Sequence, residues 1–244
     1  MERINFDVLS VIVPLYNEEK TIESILQKLL NVKLDYGITM EILIIDDCST
    51  DTSIRRVRDF ITAHRDDSIS LISHERNRGK GAAIHAGIEK STGQFIIVQD
   101  ADLEYDPNDF NDMLAPIIQG HADIVYGSRF IGSKPHRMLF FWHSIGNKIL
   151  TLLCNFFSNL NLSDMETCYK LIKREYLLSM NLKEKRFGFE PEVTIKLSRI
   201  PTVKFYEVGI AYYGRTFSDG KKINYKDGFR AIYCIFKYGL FRNL

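Results

Sequence analysis

A chain of 244 residues, 45% apolar and 26% charged, is long enough for one large α/β domain and too apolar and varied to be disordered. Its four cysteines, Cys48, Cys154, Cys168 and Cys234, stand apart with no C-x-x-C spacing, which excludes a cysteine-built zinc site and suits a reducing compartment. The net charge of +1 conceals a division: of 32 Lys and Arg, 13 fall in residues 1–133 and 19 after them, whereas of 31 Asp and Glu, 22 fall in the first stretch and 9 in the second. An acidic half suits a metal, and a basic half suits phosphates or an anionic surface.

The first half alternates strands and helices. Residues 8–14 read as a buried strand, and residues 17–30 as an amphipathic helix with Ile22, Ile25, Leu26, Leu29 and Leu30 inward. A second strand is predicted over 41–46, ending in Asp46-Asp47, then a helix over 50–63 with Asp51 near its positive end. Residues 70–73 read as a third strand and 80–90 as a helix of small residues, entered through Asn77-Arg78-Gly79-Lys80-Gly81. A fourth strand covers 95–99, a helix follows around 107–119, and a fifth strand covers 122–127. This rhythm predicts a doubly wound α/β fold with a mostly parallel sheet and helices on both faces.

After Gly132 the character changes. Residues 138–160 and the last twenty residues mix aromatic and aliphatic side chains with Lys and Arg, among them Trp142, Ile149, Phe156, Phe229, Tyr233 and Phe236 beside Arg137, Lys148, Arg230 and Lys237. A core helix and an interfacial helix explain either segment equally well, and two basic ones favour membrane contact. Residues 1–5 show no signal-peptide pattern, and no run reaches the roughly 18 apolar residues of a membrane span. The expectation is a cytoplasmic protein at the cytoplasmic face of a membrane. The basic residues are dispersed without a recognition motif, so nucleic-acid binding is not expected.

The most informative chemistry lies in Gln99-Asp100-Ala101-Asp102. The apolar run before it is a buried strand, and ligands of open α/β sheets bind at the carboxyl ends of strands. Side chains two apart in an extended segment share a side, so Asp100 and Asp102 can face one hard cation, Mg²⁺ or Mn²⁺, that also holds phosphates. Glu104 continues that alternation as a third candidate ligand. The glycines follow neither a Rossmann nor a P-loop spacing.

Four pieces occur in order: Val13-Pro14-Leu15-Tyr16-Asn17-Glu18-Glu19, Ile45-Asp46-Asp47-Cys48-Ser49-Thr50-Asp51, Asn77-Arg78-Gly79-Lys80-Gly81 and Asp100-Ala101-Asp102. Together they resemble the family 2 inverting glycosyltransferases of GT-A fold, and within them the polyprenyl-phosphate (dolichol-phosphate mannose synthase-like) branch. The resemblance implies a nucleotide-sugar site built from Pro14, Tyr16, Glu18, Ile45, Asp47, Asp100 and Ala101, with Asp46 free to anchor a turn. It implies Asp102 as the direct ligand to the diphosphate-bound cation. It places Arg129, in Gly127-Ser128-Arg129, against phosphate, and likens 214–222 to a loop closing over the donor diphosphate with Arg215, Lys221 and Lys222. On the acceptor side it points to Arg137, Ser144 and Glu190. Residues 1–132 would form the GT-A core, and 133–244 a helical and β extension of the same domain that binds acceptor and membrane.

The implied reaction moves a hexose from GDP-mannose or a UDP-sugar to a polyprenyl phosphate with inversion. A phosphate acceptor is already anionic and needs no strong base. A saccharide hydroxyl, the alternative in polysaccharide synthesis, would need one, with Asp164, Glu166, Glu190 or Glu192 as candidates. A nucleotide-sugar-binding protein without turnover and a nucleotidyltransferase are the remaining readings.

Overall fold

The computed structural model describes residues 6–65, 67–138, 140–215 and 225–241, the side chains of 225 and 226 excepted. Apolar runs form the centre of a single seven-stranded sheet. β1 (Val8–Leu15), β2 (Thr39–Asp46), β3 (Ile69–Ser73) and β4 (Phe95–Val98) are parallel, with β2 and β4 flanking β1 and β3 outside β2. Beyond β4 lie β6 (Lys170–Lys173), β5 (Ile124–Ser128) and β7 (Phe205–Gly209). Only β6 runs antiparallel, pairing with both β4 and β5. The parallel strands read as continuous apolar runs because both faces are covered. Val11, Ile12 and Val13 of β1 are wholly buried.

Covering helices in the first half are α1 (Ile22–Asn31), α2 (Ser53–Ala63), α3 (Lys80–Lys90) and α4 (Phe110–Ile118). The small residues of α3 let it approach β1 closely: a Cβ on Gly87 would meet the Ile12 side chain at 2.5 Å. The second half adds α5 (Phe141–Ser158), α6 (Arg174–Ser179), α7 (Phe189–Leu197) and α8 (Tyr225–Leu240). α8 packs on α5 and α7, with the Phe157 and Phe236 rings 5.3 Å apart.

The expected strands and helices of the first half are present, with two shifted starts. α1 begins at Ile22 and α2 at Ser53, later than the 17 and 50 expected, because the loops after β1 and β2 latch onto each other. Asn17 is left-handed (φ +50°), and the N–H groups of Asn17, Glu18 and Glu19 donate to Ser49 Oγ, Ser53 Oγ and Asp51. In return, Asn17 Oδ1 accepts from the Thr50 N–H. Residues with helical appetite are therefore spent on tying two loops together at the carboxyl edge of the sheet.

Candidate functional site

At that edge a cavity of about 420 Å³ opens above β1, β2, β4 and the β5–β6 side of the sheet. Its volume is that of a small-molecule site. Pro14, Tyr16, Glu18 and Asp47 line one side, Asp100, Ala101, Asp102, Glu104 and Arg215 the middle, and Arg129, Glu166 and Glu190 the other.

The centre is a knot of opposite charges. Arg215 donates to Asp102 at 2.8 Å and to Glu18 at 3.1 Å, and its backbone N–H reaches Glu104 at 2.7 Å. Lys80, the first residue of α3, grips Asp100 at 2.6 Å. Burial alone would lower the Lys80 pKa, but Asp100 beside it holds it well above the ordinary lysine range. Asp102 goes the other way: burial first, then the charges of Asp100 and Glu104, raise its carboxyl above the usual range, with Arg215 opposing. The middle of the cavity is thus a place where negative charge is still under-compensated.

That excess fits a hard divalent cation at Asp100 and Asp102 by donor type and by sign. The expected third ligand is turned elsewhere. Leu103 adopts φ +54°, which breaks the extended alternation, and Glu104 instead accepts from Tyr212 Oη at 2.8 Å and from the Arg215 N–H. Among the described residues, no group of three His, Cys, Asp or Glu side chains is placed to hold a metal. Of the three carboxylates expected at the cation, all line the cavity, with Asp100 on Lys80, Asp102 on Arg215, and Glu104 held by Tyr212 and the Arg215 N–H.

On the β1–β2 side, Pro14 and Tyr16 lie at and just after the end of β1 and line the cavity, and Tyr16 is 38% exposed. Asp47 lines the cavity, yet its carboxylate already accepts from His74 (2.8 Å), the Arg78 N–H (2.8 Å) and the Gly79 N–H (2.6 Å). An ionised carboxylate has about four acceptor positions, so little capacity remains for a ligand. Asp46 anchors its own turn through the Cys48 and Ser49 N–H groups. Gly79, at φ +96°, is held by Asp47 and packs against the chain: a Cβ there would lie 2.5 Å from the Lys185 carbonyl, and one on Gly81 2.4 Å from that of Glu184. These glycines admit the protein's own 184–186 segment.

On the far side, Arg129 is forked onto Asp164 at 2.7 and 2.8 Å. Burial opposes ionisation of Asp164, but Arg129 outweighs it and lowers that carboxyl. Lys170 is buried in an ion pair with Glu190. Several expected residues are not brought to the cavity. Ile45 is fully buried inside β2, an apolar core position rather than a ligand contact. Arg137 donates to the Gly214 carbonyl at 2.6 Å, and Ser144 sits in the first turn of α5; neither lines the cavity. Lys221 and Lys222 lie outside the described residues. Missed from the sequence were Lys80, Tyr212 and Arg186, which line the cavity. Lys80 had a partial signal, a cation set between two glycines in Gly79-Lys80-Gly81, but Arg76 and Arg78 beside it blurred which one reaches the cavity. Tyr212 had none, because its partner Glu104 lies 108 residues away.

The family described as Glycosyl transferase family 2 matches residues 10–179. Over 85% of its length the chain is 23% identical to the dodecaprenyl-phosphate galacturonate synthase of Rhizobium johnstonii, covering 59% of that protein. It is 30% identical to a dolichyl-phosphate beta-glucosyltransferase of Trichomonas vaginalis, over 84% of this chain and 65% of that one. The chain therefore spans less than two thirds of the length of these relatives. Among solved structures, glucosyl-3-phosphoglycerate synthase from Mycobacterium tuberculosis, in complex with Mn²⁺, UDP and phosphoglyceric acid, superposes with a TM-score of 0.72 at 18% identity, over 96% of this chain and 78% of that one. The fold is GT-A.

Proposed function

The chain belongs to glycosyltransferase family 2, and on that premise we propose that it moves a hexose, with inversion, from a nucleoside-diphosphate sugar to a polyprenyl phosphate at the cytoplasmic face of a membrane. One observation carries the reading: a guanidinium, Arg215, is held among Asp102, Glu18 and Glu104 at the tip of β4, inside a cavity with the nucleoside-facing loops on one side.

Pro14 and Tyr16 offer an apolar wall and a ring to a nucleobase, and Glu18 and Asp47 border the same space. Asp100 and Asp102 would hold Mg²⁺ or Mn²⁺, which supplies charge stabilisation to a departing nucleoside diphosphate. Arg215 exchanges its carboxylate partners for the donor diphosphate, the geometry a planar guanidinium suits. Lys80 holds Asp100 in place through their ion pair. A phosphate oxygen of the lipid attacks the anomeric carbon from the face opposite the diphosphate, near Arg129 and the rim residue Arg186. Glu190, one of the four carboxylates a hydroxyl acceptor could call on, is tied to Lys170.

The relatives named for dodecaprenyl phosphate and dolichyl phosphate support a lipid acceptor. So do the outer faces of α5 and α8. Trp142, Leu152 and Phe156 on α5 and Phe229 on α8 are 78%, 69%, 79% and 70% exposed, at spacings that line up along each helix. A stripe of this kind beside Arg137, Lys148, Arg230 and Lys237 suits an anionic bilayer surface. No helix among the described residues is long and apolar enough to cross a membrane.

The test is a donor panel of GDP-mannose and UDP-sugars, scored by released nucleoside diphosphate with and without undecaprenyl phosphate. Release that requires the lipid phosphate is expected. Release that responds only to water-soluble saccharides overturns the lipid acceptor.

A further inference from the structure

Five buried side-chain nitrogen and oxygen atoms among the described residues lack a hydrogen-bond partner, and only two belong to residues that line the cavity: Arg215 Nε and Glu166 Oε1. Arg215 is otherwise well supplied with carboxylates. Glu166 is not supplied with cations. Arg129 is forked onto Asp164, and Lys170 is spent on Glu190 and the Thr167 carbonyl. A buried acceptor left without a donor is costly, and such a group in a folded protein calls for a reason.

The sheet order supplies one. The nucleoside-facing loops follow β1 and β2, the cation pair follows β4, and Glu166 precedes β6 on the other side of β4. Along a nucleoside-diphosphate sugar laid across that edge, the position beyond the diphosphate is the sugar. A carboxylate there repels both the donor diphosphate and a lipid phosphate, and it is suited to hydroxyl groups. We propose that Glu166 is a specificity-determining residue of the donor site, its unpartnered Oε1 forming a hydrogen bond with one hydroxyl of the transferred sugar. This rests on the donor-site reading above and extends it to a residue for the sugar itself. Burial, and next the charge of Glu190, push the Glu166 carboxyl up to about 7, with Lys170 and Arg129 opposing and Asp164 adding to the rise. An uncharged hydroxyl serves either protonation state, donating to the carboxylate or accepting from the acid.

The test uses calorimetry with Mn²⁺ present, the full chain, and four probes: UDP, UDP-glucose, GDP and GDP-mannose, followed by mono-deoxy versions of whichever sugar nucleotide binds. Glu166→Ala should bind the bare nucleoside diphosphate as the wild type does and bind the sugar nucleotide roughly ten- to a hundred-fold more weakly, the size of a hydrogen bond to a charged group. One deoxy position should cost the wild type a similar factor and cost the variant nothing further. Equal losses for diphosphate and sugar nucleotide, or no loss for either, overturn the proposal and leave the donor site standing. A wild-type protein that binds none of the four probes overturns the donor-site reading and this proposal with it. Should Glu166→Ala fail to fold, the wild type decides alone: binding of every mono-deoxy sugar as tight as the parent overturns the assignment, and a selective loss at one position upholds it.

Discussion

On the proposed reading, Asp102 carries the metal chemistry, and its surroundings oppose its charge. Burial and two neighbouring carboxylates work against its ionised form, and only Arg215 supports it. A divalent ion resolves that conflict, and so does removal of the charge. Asp102→Asn should therefore fold at least as stably as the parent while losing roughly 10²–10³-fold in turnover, the scale expected when one electrostatic contributor to the transition state is removed. Thermal unfolding and steady-state rates on the same preparation check both halves; a variant of normal rate contradicts the role. Sequence gave access to this residue because the chemistry is local: two carboxylates two apart after an apolar strand. Asp47 was legible as a site-edge carboxylate but not as the clamp of the Gly79 turn, since that role depends on His74, Arg78 and Gly79 arriving from a different loop.

At the scale of elements, one buried carboxylate gathers three side chains of α8. Glu184 accepts from Arg230 at 2.7 Å, Tyr238 at 2.9 Å and Lys237 at 3.1 Å. Burial would raise its pKa, but these hydrogen bonds outweigh it and bring the group down to about 2 from the ordinary 4.5. A carboxyl lowered by folding stabilises the folded state fully above its ordinary value, and that contribution fades as the pH falls toward the folded value. Hydrogen exchange of residues 225–240 should accelerate ahead of the β1–β2 core between pH 4.5 and about 2, and Glu184→Gln should show the fast behaviour already at neutral pH. Uniform acceleration across both regions would contradict this attachment. The outer faces of α5 and α8 carry a second expectation. Trp142 is the only tryptophan and lies on the exposed stripe, so its emission should shift to the blue with vesicles containing anionic lipid and stay unchanged with Phe156→Ser and Phe229→Ser combined. An unshifted wild-type spectrum contradicts membrane contact through this face. The basic-aromatic composition marked both segments in the sequence, but not which side faced the core, because burial is decided by what packs there.

Across the whole molecule, the acidic and basic halves meet at one cavity. The first half supplies the loops after β1 and β2 and the carboxylates after β4, and the second supplies Arg186, Tyr212 and Arg215. The parallel half of the sheet was readable because βαβ units alternate in order and each strand is a continuous apolar run. β6, β7, α6 and α7 were not readable. β6 is four residues long and inserts between β4 and β5, out of chain order, and all but one residue of α7 is buried, with no polar face to give a period. The central claim is an inverting transfer to a lipid phosphate, and the anomeric configuration of the product tests it most directly. With undecaprenyl phosphate and an α-linked nucleotide sugar, nuclear magnetic resonance of the organic-phase product should show the sugar β-linked to the lipid phosphate. An α-linked lipid product, or label found only in water-soluble saccharides, contradicts the account.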